Sequence, residues 1–410
     1  MTIYIIIFMY NKIKKMNLLS ENIQQTNPEE NKNLNLTGAS GILPDSLIKK
    51  LLARKKIQSL DEITDQQIQP ASLDLRLGKK AYRIRASFIP SENKKVLECA
   101  TDLIDHEFSI EDGAVLERNC VYLVELKEFL ELPESIWAIA NPKSSTGRLD
   151  VFTRVIADYT QSFDKIPIGY AGALYAEISP HKYSIMIHEN SRLSQLRFIR
   201  KSSTQSEQQR SIISDRDLKR LHNKLSKISG GFGLVNGEAR IADGLQLGVC
   251  LSSQNGLIGF KAKHYTAPID VDKIGHYKVS EYWDPIHETE KKRLVLDPNE
   301  FYILASTEFV RIPPEYAAEM VPIDPTMGEL RVHYAGFFDP GFGDTNDLSK
   351  ASKGVLEVRS LDVPFYIEDK QIIARLKYEK LAEIPSKLYG VDIGSTYQSQ
   401  GLKLSKHFID

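Results

Sequence analysis

Cysteine is scarce. Cys99, Cys120 and Cys250 are far apart, odd in number and form no CxxC pair. A disulfide framework and a cysteine-based zinc cluster are thereby excluded, and a reducing cytoplasm is the expected setting. Long apolar runs are also missing. The stretch Ile3 to Tyr10 is eight residues, against roughly 20 for a membrane span. Nothing positive precedes it and no small-residue cleavage site follows, so it makes a poor anchor and a poor signal peptide. Nor does charge of one sign dominate: 53 Lys and Arg face 54 Asp and Glu, a net −1. No basic excess advertises a nucleic-acid or anionic-membrane partner. What remains is 410 residues, 42% hydrophobic and 26% charged, the composition of a soluble globular chain of two or three domains.

Translation is expected to start at Met16, leaving a polar lead, NLLSENIQQTNPEENKNLNLTG. Residues 1–41 are expected to be disordered. Beyond them the chain repeats itself. LPDSLIKKLLARKKI, from Leu43, returns as ISDRDLKRLHNKLSKI, from Ile213, 170 residues later. ASLDLRLG, from Ala71, returns as DGLQLGV. VLERNCVYLVELKEFLELP, from Val115, returns as VLDPNEFYILASTEFVRIP, from Val295. YAEIS with Glu177 returns as VLEVRS with Glu357, 180 residues on. Steady offsets of this kind define two copies of one unit, at 42–200 and 212–410. The polar stretch 201–211, KSSTQSEQQRS, reads as the linker.

Helical periodicity is confined to the opening of each copy, at Leu47, Ile48, Leu51 and Leu52, then Leu218, Leu221 and Leu225. Elsewhere β-branched and aromatic runs are bounded by Gly, Pro, Asn and Asp. The expected fold is mainly β, with many short strands in a barrel or jelly-roll-like sandwich and one short helix opening each copy.

Three stretches carry chemistry. Asn141 to Arg148, NPKSSTGR, offers two cations, three hydroxyls and a glycine. Hydroxyls and backbone N–H groups donate to phosphate oxygens, Lys143 neutralises them, and Arg148 can bind as a fork. The alternative is a polar turn. In HYAGFFDPGF, from His333, Asp339-Pro340-Gly341 is a tight turn. It makes a hairpin whose return strand carries Glu357 among apolar neighbours. A buried carboxylate there costs free energy unless paired or functional; an outward-facing Glu is the plain alternative, as for Glu177. The tail from Ser395 to Lys406 is either frayed or a flexible lid over a polyanionic ligand.

Together these segments resemble the deoxycytidine triphosphate deaminase family, a branch of the trimeric deoxyuridine triphosphatase superfamily. The resemblance rests on LPDSLIKKLL, QPASLDLRLG, the KSSTGR loop, the DPG hairpin with LE on its return strand, and the tail YQSQG. It implies two tandem dUTPase-like domains and hydrolytic deamination of dCTP to dUTP and ammonia, without zinc. A Glu on the return strand acts as general base, and the loop Ser and Arg hold water, base and phosphates. Mg2+ accompanies the triphosphate. The expected partners are dCTP and dUTP, with neither nucleic acid nor membrane.

Family sites are shared between neighbouring domains, and here the copies depart from the pattern in complementary ways. The first keeps the loop but has an altered hairpin, ADYTQSFDKIPIGYAG. The second keeps the DPG hairpin and tail but reads IDPTMGEL where the loop should be. One composite site is therefore expected. Lys143, Ser144, Ser145 and Arg148 come from the first copy, and Ala335, Asp339, Glu357, Tyr397 and Gln400 from the second. Glu357, Arg148 and Ser144 are the catalytic candidates, with Glu177 as the competing Glu. Lys143 stands where the family usually has Arg, and Thr396 where it has Lys. Three other readings stay open: a dUTP diphosphatase using Asp164 and Tyr170, a bifunctional enzyme, and a catalytically dead nucleotide-binding relative. A homo-oligomer, either a trimer of two-domain chains or a dimer, is expected.

Overall fold

The computed structural model describes residues 39–202, 210–323, 336–390, 392 and 397–409, and the main chain of 330–333. The polar lead up to residue 38, most of the linker, Ala335 and Thr396 lie outside the described residues. The first strand begins at Gly41, one residue before the expected start of the fold, and pairs through Ile42 with Ile199.

Each copy opens with its expected helix. Asp45–Ala53 buries Leu47, Ile48 and Leu51, with Asp45 in the first turn where the helix dipole favours an anion. Asp215–Ile228 is capped by Ser214, whose hydroxyl accepts from the N–H of Asp217 at 3.2 Å. It ends before Gly230, which adopts a left-handed φ of 65°.

Strands make up most of the rest, with two main sheets in each domain and three small ones of two or three strands besides. One sheet of the first domain runs 165–166, 136–142, 194–200, 72–75, 68–69. Its counterpart in the second domain keeps the matching order, 337–338, 316–322, 372–380, 245–248. The other sheet runs 151–157, 171–180, 121–131, 77–84, 104–109, matched by 330–333, 352–360, 301–310, 257–262, 283–287. Alternating residues on these strands fill the space between sheets.

The DPG segment departs from a simple hairpin. Leu330–His333 does pair with Ser352–Ser360, placing His333 opposite Glu357. Between them, however, Phe337–Phe338 crosses to the other sheet and pairs with Tyr316–Pro322. Asp339-Pro340-Gly341 is the turn that ends this crossing strand. The N–H of Phe342 donates to the carbonyl of Asp339 at 3.1 Å, and Gly341 takes a φ of 94°. That is the type II pattern, with Pro at its second position and Gly at its third. A Cβ on Gly341 would also lie 3.0 Å from the backbone of Tyr389.

The two domains share their apolar interior. Tyr122, Ile178, Tyr183 and Ile185 of the first pack with Trp283, Phe301, Ile303 and Leu404 of the second. A smaller cluster joins Ile42, Trp137 and Ile199 to Ala317, Phe337 and Leu381. Ile185 pairs in parallel with Ile269 across the boundary. Burying each such side chain contributes about 1.5–3 kcal/mol, so the junction is a continuous core. Among the described residues no helix is long and apolar enough to cross a membrane.

Candidate active site

The loop at 141–148 follows strand Ile136–Pro142. Lys143 is extended, and Ser144–Gly147 makes one helical turn, with the N–H groups of Thr146 and Gly147 donating to the carbonyl of Lys143 at 2.8 and 3.0 Å. The Thr146 hydroxyl donates to Leu193 O at 2.9 Å, pinning the turn to the next strand of the sheet. Arg148 closes the turn and is buried. Its cation needs anionic or carbonyl partners at that depth.

The partners come from the end of the chain. Nη1 and Nη2 of Arg148 donate to Oε1 of Gln400, each at 3.2 Å. Nη1 also reaches the carbonyls of Lys403 at 2.9 Å and Leu404 at 3.4 Å. The ring of Tyr397 stacks on the guanidinium, 3.9 Å from centroid to Cζ. Gln400 is tied in turn to the strand that carries Glu357. Its Nε2 donates to Lys353 O at 3.0 Å, and Lys353 N donates to Gln400 O at 2.8 Å. The Ser405 hydroxyl lies 2.8 Å from Ser145 O. The tail is thus a docked strap.

Glu357 lies in the middle of strand Ser352–Ser360, the strand to which the strap is tied, buried, and its Oε2 has no hydrogen-bond partner among the described residues. Burial pushes its carboxyl well above the ordinary carboxylate range. Arg148 pulls the other way, and Asp150 adds to the rise. Two residues further along the same face, Arg359 forms an ion pair with Asp150, itself two residues after Arg148. Arg148 and Asp150 of one domain therefore face Glu357 and Arg359 of the other.

Glu177 differs. Both carboxylates are buried, so the outward-facing alternative fails for each. Glu177, however, is opposite Arg154 in the strand register and forms an ion pair with it, with Nε 3.1 Å from Oε1. The Arg154 guanidinium stacks on Phe163 at 3.7 Å and bonds the Ser87 hydroxyl. The structure does not bring Glu177 to Arg148 or the tail. Asp164 and Tyr170, the residues of the diphosphatase reading, serve the first domain's own loop. Asp164 accepts from Val155 N at 2.7 Å; Tyr170 accepts from Asp158 N at 3.0 Å and donates to Ala173 O at 2.5 Å.

Lys143 is ion-paired with Asp74, a buried residue of the quoted SLDLRL strand. Arg192 approaches the same carboxylate at 3.7 Å. Asp339 is half-buried, and its removal from water pushes its carboxyl up to about 6 despite the attraction of Arg197 and Lys143. Arg197, fully buried, lies 3.7 Å from Asp339 and stacks on Phe337 at 3.8 Å. Ser144 is half-buried at the start of the helical turn. Lys143, Ser145, Arg192, Asp272, Lys406 and His407 line a cleft beside the loop. Asp74, Asp150, Arg192, Arg197 and Arg359 escaped the sequence reading, whereas Lys406 lay at the end of the tail it singled out. Only Asp74 carried a signal there, as an acid inside an apolar strand that the resemblance already singled out.

The fold is mainly β, built from two tandem domains that each match a family model. Residues 39–202 match the 2'-deoxycytidine 5'-triphosphate deaminase N-terminal domain, and residues 214–408 its C-terminal domain. The chain belongs to the 2'-deoxycytidine 5'-triphosphate deaminase family. It is similar to the 2'-deoxycytidine 5'-triphosphate deaminase of Agrobacterium tumefaciens, with 48% identity and a TM-score of 0.79 over 87% of this chain and 99% of that one. It is also 31% identical over 213 residues to the "dCTP deaminase, dUMP-forming" of Methanosphaera stadtmanae, covering 48% of this chain and 98% of the relative. The enzyme of the same name from Methanothermobacter thermautotrophicus is 31% identical over 164 residues, 38% of this chain and 78% of the relative.

Proposed function

We propose that the protein deaminates dCTP by hydrolysis, giving dUTP and ammonia, at one site built from both domains. The observation that carries this reading is Glu357, a buried carboxylate on one domain facing Arg148 of the other, on the strand to which the docked tail is tied. A carboxyl raised in this way takes up a proton more readily than an ordinary Glu, as a group that accepts a proton and passes it on requires. Glu357 takes a proton from water as the oxygen attacks C4 of cytosine. It passes that proton to N3 of the base, then carries the hydroxyl proton of the addition intermediate to the amino nitrogen, so that C4=O forms, the C4–N bond breaks and ammonia leaves. Arg148, fixed by Gln400 and Tyr397, supplies positive charge beside the carboxylate and steadies the addition intermediate. Ser144 and Ser145 hold water and phosphate, and Asp339 shapes the base side of the site.

Mg2+ belongs to the proposal as the companion of the triphosphate, whose charge it offsets. The cleft lining carries Lys143, Arg192 and Lys406 beside one acid, Asp272; it suits phosphate oxygens, and the ion would be held by those oxygens and water rather than by the lining. A cytoplasmic setting agrees with three cysteines that are all free, and assembly into a homo-oligomer is part of the same reading. Ammonia release from dCTP by the wild-type chain, abolished in Glu357→Gln, is the test. A second reading, onward hydrolysis to dUMP, is favoured by the dUMP-forming relatives; pyrophosphate release from dUTP decides it.

A further inference from the structure

The cleft beside the loop places three cations together: Lys143 and Arg192 from the first domain and Lys406 from the tail of the second. Two of them share one acid, since Asp74 pairs with Lys143 and lies 3.7 Å from Arg192. Lys406 makes no ion pair among the described residues. Burial, Lys143 and Arg192 hold its ammonium below the usual lysine range, against a pull from Asp74 and Asp272. Like charges crowded into a partly buried cleft are costly unless an anion joins them.

The backbone around Lys406 is fixed on every side. Its own N–H donates to the Tyr397 hydroxyl at 3.2 Å. Ser405 Oγ lies 2.8 Å from Ser145 O and 2.9 Å from Nδ1 of His407. His407, held neutral by burial with its pKa pushed down to about 4, donates through Nε2 to Val271 O at 2.9 Å. Phe408–Ile409 then pairs in parallel with Tyr277–Lys278. Such anchoring presents the amine at a set place in the cleft instead of letting it sweep through solvent.

We propose that Lys406 is a phosphate-binding residue that completes, with Lys143 and Arg192, a three-cation cradle for the polyphosphate of the substrate. The inference rests on the dCTP reading of the site for its substrate, and on the cleft itself for the anion. Docking of the tail then brings both the Arg148 partner Gln400 and the third cation, so one segment completes the catalytic and phosphate-binding halves together.

The test uses the full chain with inorganic tripolyphosphate and dCTP. In Lys406→Met, the dissociation constant of tripolyphosphate and the KM for dCTP should each rise about tenfold or more. The kcat should stay within about twofold and deoxycytidine inhibition should be unchanged; Lys406→Arg should restore both constants. Tripolyphosphate binding that is equal in wild type and Lys406→Met overturns the assignment, as does a loss confined to kcat. Lys406-dependent tripolyphosphate binding without ammonia release from dCTP keeps the cradle and overturns the deaminase reading instead.

Discussion

Arg148 and Gln400 are 252 residues apart in sequence, yet both terminal nitrogens of the guanidinium lie 3.2 Å from the same amide oxygen. This contact joins the loop of the first domain to the tail of the second. A hydrogen bond to a charged group contributes about 1.5–3 kcal/mol. Gln400→Ala should therefore lower kcat/KM for dCTP by about tenfold or more. Limited proteolysis should detect a tail that is cut faster, while cleavage of the core stays at the wild-type rate. Wild-type proteolysis with lowered activity would separate catalysis from docking.

Glu357→Gln should abolish deamination and, at the same time, stabilise the fold at neutral pH. Because burial raises the folded-state pKa of Glu357, the native chain holds its proton where the unfolded chain releases it. Stability thus falls as pH rises through the window between the ordinary Glu value and the raised one. Gln removes that loss. Melting temperatures should be similar below the ordinary carboxylate range and higher in the variant at pH 7 to 8. The acid limb of the wild-type activity profile should fall above the ordinary Glu value.

The other buried Glu has the opposite signature. Glu177 holds Arg154 in the first domain's sheet. Glu177→Gln should leave kcat for dCTP within about twofold but cost about 1–3 kcal/mol of stability, the usual penalty for leaving a buried polar partner unsatisfied. Urea titration beside an ammonia assay reads both. An inactive Glu177→Gln with an active Glu357→Gln would reverse the assignment.

Asp339 adds a second pH dependence. Its carboxyl is held at about 6, so the folded state loses stability as pH rises from about 4 to about 6. Asp339→Asn should flatten that slope. Arg197→Met removes the cation that opposes the shift and should extend the slope to higher pH. Urea midpoints at pH 4.5, 6 and 7.5 measure both.

Much of this was legible from residue types alone. The opening helices follow from Leu47, Ile48 and Leu51 at helical spacing, and the turn at Asp339-Pro340-Gly341 from the φ that Pro imposes and Gly permits. The loop and the tail could each be singled out because they concentrate hydrogen-bonding and cationic groups. Sequence could not reveal that Arg148 meets Gln400, because that contact depends on how two sheets close on each other. Nor could it separate Glu177 from Glu357 by environment. Both lie on apolar strands, and the difference is made by the charged groups nearby, Arg154 in register with Glu177 and Arg148 with Asp150 of the other domain near Glu357. The path of Phe337–Phe338 was missed for a related reason, since a two-residue strand has too little pattern to declare its sheet.

The shared interior that joins Tyr183 to Trp283 and carries Leu404 within it has a genetic consequence. Both halves of the proposed site travel on one polypeptide and are packed together as it folds. A chain broken at Arg148 and another broken at Glu357 would each keep one good half, but neither could lend it to the other. Mixing the two mutants should yield no recovered activity, and the two lesions should behave as one functional unit of inheritance.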